Sequence, residues 1–146
     1  MSRTQVDVRT ADEMRDLGRR MAAHLRGGDV VVLAGPLGAG KTTLVQGVGA
    51  GLGVAGAVTS PTFVLARVHP STAGGPDLVH VDAFRLDGPL ELDDLDLGTN
   101  LATSVVVVEW GEGLAEVLGS PPLVVRLDRA DQDSDRRRVD LPSHLV

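Results

Sequence analysis

At 146 residues the chain has room for one hydrophobic core, which we read as a single domain over residues 1–146. Without cysteine there is neither a disulfide frame nor a thiolate zinc site, and no apolar stretch nears the roughly 20 residues that span a bilayer. A net charge of −6 argues against a protein that grips nucleic acid unaided, while contact with RNA inside a larger complex stays open.

Aromatic residues are 2% of the chain, so aliphatic side chains must fill the core. The N-terminal segment Met1-Ser2-Arg3-Thr4-Gln5-Val6-Asp7 lacks the apolar run of a signal peptide, which predicts a cytoplasmic protein without membrane contact.

Gln5-Val6-Asp7-Val8 alternates polar and apolar, as a half-buried strand does. Thr10-Ala11-Asp12-Glu13 reads as a capping box opening a helix. Met14, Leu17, Met21, Ala22 and Leu25 continue it at helical spacing, and Gly27-Gly28 is the expected stop. Val30-Val31-Val32-Leu33-Ala34 is a continuous apolar run, typical of a parallel strand buried on both faces. A glycine loop follows, then a helix from about Lys41 to Leu52.

Gly53–Thr59 is a glycine-rich turn, and Pro61 fixes the entry to a strand over Thr62–Val68. A turn-rich loop from Pro70 to Pro76 separates this strand from Leu78–Val81, so the two are expected to pair antiparallel. Pro89–Leu97 reads as a short acidic helix or turn. Ser104–Val108 is a second fully apolar strand, ending in Glu109-Trp110. A short helix from about Glu112 to Leu118 leads through Pro121-Pro122 to strand Leu123–Leu127, with which Arg136–Leu141 forms a closing hairpin. This alternation predicts an α/β fold: a P-loop NTPase-like sandwich with a mostly parallel central sheet, antiparallel edge strands and flanking helices.

Gly35-Pro36-Leu37-Gly38-Ala39-Gly40-Lys41-Thr42 satisfies the pattern G-x-x-x-x-G-K-[ST] between a buried strand and a helix. Glycines let successive N–H groups turn inward as an anion nest, and the helix start adds its positive dipole. Pro36, having no N–H, offers no donor. The Lys41 ammonium is placed for the β and γ phosphates, the Thr42 hydroxyl for magnesium, and Thr43 continues the cradle. ATP with Mg2+ is therefore the expected ligand. The base is not read directly; the single asparagine, Asn100, precedes Leu101, which argues against guanine selection through Asn-Lys-x-Asp and favours ATP.

Such a site also needs a carboxylate at the carboxyl end of a nearby strand. Asp82 follows Leu78-Val79-His80-Val81, and Glu109 follows four valines. Glu109 is assigned to magnesium and Asp82 to magnesium or the attacking water. With Lys41 they are the catalytic candidates.

Gly35–Thr43, Ser60-Pro61-Thr62-Phe63, His80-x-Asp82-x-Phe84-Arg85 and Glu109-Trp110 occur in that order. Together they resemble the TsaE (YjeE) family, bacterial ATPases needed to make threonylcarbamoyladenosine in tRNA. The resemblance runs from the first helix to the strand near Leu127. It implies an energy-coupling ATPase that binds and hydrolyses ATP to serve a complex of TsaD and TsaB, meeting tRNA only through that complex. By the same resemblance Thr62 lies in a switch-like loop that senses γ phosphate or magnesium.

His80 shares a strand face with Asp82 and either orients that acid or fills space. Arg85 suits a phosphate, a partner or a salt bridge, and Trp110 a wall of the site or a packed ring. Four positions depart from the family pattern. Pro36 replaces a common acid, Phe84 the usual tyrosine, Gly111 a proline, and Met14 a threonine near the base end of the nucleotide. Arg136-Arg137-Arg138 reads as a solvated basic face, with a contact to RNA or a partner as the alternative. The rival functions are a small-molecule kinase, for which the chain has little room for an acceptor pocket and lid, and a non-catalytic nucleotide-dependent adaptor.

Overall fold

The computed structural model describes residues 2–36, 39–54, 66–82, 103–109, 122–129 and 136–146, with the side chains of Ala66, Arg67 and Asp82 left aside. The described residues hold seven strands and two α-helices in one α/β arrangement. The strands are β1 (Arg3–Val8), β2 (Val30–Ala34), β3 (Ala66–His69), β4 (Asp77–Asp82), β5 (Ser104–Glu109), β6 (Leu123–Arg129) and β7 (Arg137–Pro142). The helices are α1 (Ala11–Ala22) and α2 (Lys41–Leu52), and a 3-10 turn covers Ser143–Leu145.

The sheet order is β1-β7-β6-β2-β5-β4-β3. Its centre, β6-β2-β5-β4, is parallel. Both edges are antiparallel, with β3 on β4 at one side and β7 then β1 at the other. β2 and β5 are buried at every position. Their unbroken valine runs are what strands enclosed on two faces require. The expected pairing of β3 with β4 and the closing hairpin of β6 with β7 are both present. Pairing of β1 with β7, from Arg3↔Pro142 to Val8↔Arg137, is a long-range contact that no local pattern announces.

Among the described residues a core lies between the sheet and helices α1 and α2. Val31 and Leu33 of β2, Val105 and Val107 of β5, Leu78, Val125, Leu127, Val139 and Leu141 line the sheet side. Met14, Leu17 and Met21 of α1 and Leu44, Val45 and Val48 of α2 answer them. Fully burying each such side chain is worth about 1.5–3 kcal/mol. The helices approach so closely that a Cβ on Gly18 would run into the Leu44 carbonyl oxygen, and one on Gly47 into that of Arg15.

Helix α1 ends at Ala22, earlier than its glycines suggest. His24 N–H donates to the Met21 carbonyl at 2.9 Å and Leu25 N–H to that of Ala22 at 3.2 Å. These tighter bonds fold the last turn inward and bury Leu25 outside the helix. The expected acidic helix or turn at Pro89–Leu97, the expected helix from about Glu112 to Leu118, the Ala55–Thr59 part of the glycine-rich turn and the Thr62–Leu65 part of the third strand lie outside the described residues. No described helix is long and apolar enough to cross a membrane.

Candidate nucleotide site

Three strand ends meet at the carboxyl edge of the parallel sheet. The register places Leu33 of β2 opposite Glu109 of β5, and Glu109 opposite Asp82 of β4. The glycine loop leaves β2 two residues after Leu33, at Gly35. Ligands of open α/β sheets sit outside this edge. With strands about 4.8 Å apart, the Glu109 backbone lies one spacing from the loop-bearing strand and that of Asp82 two.

Within the loop, Ala39 N–H donates to the Pro36 carbonyl at 3.1 Å. Gly40 takes the left-handed conformation (φ 99°, ψ 17°) as the residue before α2, and its carbonyl accepts from Leu44 N–H at 3.0 Å. No side chain caps α2, and its first turn carries no acid. The Lys41 ammonium donates to the Gly35 carbonyl at 2.6 Å and lies buried within the loop's span. Thr42 and Thr43 are half-buried on the first turn. A Cβ on Gly35 would strike the Leu127 carbonyl, and one on Gly40 would come 2.9 Å from Met14 Cε. Gly35 is therefore demanded by the neighbouring backbone, whereas at Gly40 the left-handed conformation makes the demand, since the Met14 methyl can shift.

A cavity of about 250 Å3 opens beside this loop, lined by Thr10, Ala11, Met14, Gly40, Thr43 and Arg137. Its α1 wall begins at a capped helix start. The Thr10 hydroxyl accepts from Glu13 N–H at 3.1 Å. The Glu13 carboxylate reaches back to Arg9 N–H at 3.3 Å, one residue earlier than an ideal capping box. Met14, which departs from the family pattern, lies on this wall and against Gly40.

Arg137 reaches the cavity because the pleat divides the arginine run. Arg136 and Arg138 both pair with Asp7 of β1, at 3.4 and 3.9 Å. Arg137 shares the face of Val139 and Leu141, which point at the core under the helices. The solvated-face reading therefore holds for two of the three arginines.

Glu109 alternates with Val105 and Val107 and so faces the α2 side of the sheet. It is buried, and its Oε2 lies 2.5 Å from Nε2 of His80 on β4. A hydrogen bond between these atoms ties the two strands together near the site. His80 thus pairs with the acid of the neighbouring strand, a partnership that its place two residues before Asp82 did not reveal.

The glycine-loop residues Leu37 and Gly38 lie outside the described residues. So do Thr62 with the rest of Ser60-Pro61-Thr62-Phe63, together with Phe84, Arg85, Trp110 and Gly111. Among the described residues no three His, Cys, Asp or Glu side chains are grouped to hold a metal ion. The available donors, the Thr42 hydroxyl and the Glu109 carboxylate, are hard oxygens few in number. They suit Mg2+, which keeps waters and takes substrate phosphate oxygens to complete its shell.

Residues 8–139 match the model of the family described as threonylcarbamoyl adenosine biosynthesis protein TsaE. The chain is similar to the tRNA threonylcarbamoyladenosine biosynthesis protein TsaE of Streptomyces coelicolor, at 64% identity over 83% of this chain and 82% of that protein. It resembles the protein of the same description from Mycobacterium tuberculosis H37Rv at 54% identity, over 82% of this chain and 76% of that one. Among solved structures it is similar to Bacillus subtilis YdiB, with a TM-score of 0.76 at 28% identity, over 96% of this chain and 84% of that one.

Proposed function

The chain belongs to the TsaE family, and from that premise we propose that it binds and hydrolyses ATP with Mg2+ to drive formation of threonylcarbamoyladenosine at position 37 of tRNA. The observation that carries this reading is the alignment of phosphate loop, Glu109 and Asp82 at one edge of the sheet. In this reading the uncapped start of α2 and the loop N–H groups hold the phosphates, and Lys41 offsets the charge that builds on the transferring group. Thr42 and Glu109 hold Mg2+, which when bound neutralises phosphate charge. Asp82 orients the attacking water. The nucleoside end lies in the cavity between α1 and β7, beside Met14 and Arg137.

By family resemblance the hydrolysis serves a complex of TsaD and TsaB, resetting it between turnovers, and this chain meets tRNA only through that complex. No substrate carbonyl is handled at the site itself; the work done is conformational.

The test mixes the purified chain with the TsaD and TsaB homologues of its organism and follows phosphate release and modified tRNA together. Wild type is expected to support repeated modification. Lys41→Ala should lower turnover by about 100-fold or more, as loss of one preorganised charge donor does. Equal modification by wild type, Lys41→Ala and Glu109→Ala would overturn the reading.

A further inference from the structure

We propose that His80 is the positioning residue for Glu109, holding its carboxylate ready for Mg2+ without touching the ligand; this rests on the nucleotide reading above. The side chain of His80 is fully buried, and Glu109 shows only 7% of its side chain to solvent. The parallel register sets His80 opposite Val107, so the imidazole reaches diagonally forward to Glu109 at the carboxyl edge. Both residues face the α2 side: His80 alternates with Val79 and Val81, and Glu109 follows Val105 and Val107.

A polar ring in an aliphatic core is costly unless its polarity is used. A side chain that only filled space here would be leucine, like Leu78 on the same face. Nε2 is the atom put to use. An ionised carboxylate can only accept, so a bond to it takes its hydrogen from Nε2. Nδ1 has no partner among the described residues. The bond engages Oε2 and leaves Oε1 out of that contact. Fixing the glutamate in advance removes rotamer entropy that metal binding would otherwise have to overcome.

The experiment compares wild type, His80→Gln, which keeps an amide N–H donor, and His80→Met, which keeps bulk without a donor. Affinity for a non-hydrolysable ATP analogue is measured with Mg2+ and with EDTA, alongside thermal melts. His80→Met should lose about 10–100-fold of the Mg2+-dependent affinity, the usual effect of removing a group that orients a metal ligand, with the EDTA value unchanged. His80→Gln should recover most of that loss. In a Glu109→Gln background, His80→Met should change affinity by less than about twofold, since its action passes through Glu109.

Unchanged Mg2+-dependent affinity in His80→Met would overturn the assignment, and so would parallel losses with Mg2+ and EDTA. Should His80→Met not fold, Mg2+-dependent affinity in His80→Gln as low as in Glu109→Gln would also overturn it. Failure of the nucleotide reading looks different, because wild type would then bind no analogue under either condition.

Discussion

Helices α1 and α2 have the same length, twelve residues, and pack face to face, yet they treat their first turns in opposite ways. Helix α1 satisfies its own start. Thr10 caps it, and Asp12 and Glu13 place negative charge on the positive end of its dipole. Helix α2 begins at a left-handed glycine, with no capping side chain and no acid in its first turn. The rules that stabilise a helix are followed in α1 and set aside in α2. The proposed phosphate seat lies where they are set aside, since donors already capped by the protein would be closed to a phosphate.

Giving α2 what α1 has should break the contrast with the largest effect. Thr43→Glu puts an acid in the first turn of α2. It should raise helix stability by about 0.3–1 kcal/mol while weakening ATP binding by roughly 10-fold or more, since that charge opposes the phosphates. Melting curves and nucleotide titration of one sample would show the two properties moving in opposite directions. Should ATP affinity stay unchanged, the uncapped end is not the phosphate seat.

The packing between the helices is the next target. Gly47→Ala gains about 1 kcal/mol of helix propensity but drives a methyl into the Arg15 carbonyl, and overpacking costs roughly 1–3 kcal/mol. The clash is with backbone that can yield only by moving α1, so the cost falls in the upper part of that range and the net destabilisation by denaturant unfolding is about 1–2 kcal/mol. Arg137→Ala removes the guanidinium from the cavity wall. It should weaken ATP binding about 10-fold, as loss of one charge-assisted hydrogen bond does, and leave binding of inorganic triphosphate unchanged. Equal losses for ATP and triphosphate would place Arg137 outside the nucleoside seat. The smallest change is Thr10→Ala, which should cost about 1 kcal/mol of stability through the lost cap.

Much of this was legible along the chain. The valine runs of β2 and β5, the glycine loop and the cap of α1 are local signals, each written in consecutive residues. Sequence spacing also gave the antiparallel partners of β4 and β6, because each lies one short connection or a hairpin away. What stayed hidden depends on register. His80 and Glu109 are 29 positions apart and meet only because β4 and β5 pair in parallel with Asp82 opposite Glu109. Arg137 looked like part of a charged run until the pleat set it on the core face, with its neighbours paired to Asp7. The early end of α1 was equally unreadable, since Leu25 keeps helical spacing while occupying a turn.

The pairing of β1 with β7 has a kinetic side. During synthesis the first strand emerges long before its partner, and its half-buried Val6 must wait for Val139 to arrive. The same late strand brings Arg137 to the cavity, so the pocket wall is completed only when β7 docks. A nucleotide seated there would tie α1 to β7 across most of the chain. Its stabilisation, RT ln(1 + [L]/Kd), would favour the finished sheet over one with β7 undocked. Ligand supplied during refolding would then slow the loss of β7 rather than hasten its arrival, and the pocket would serve as a latch on the last step of assembly.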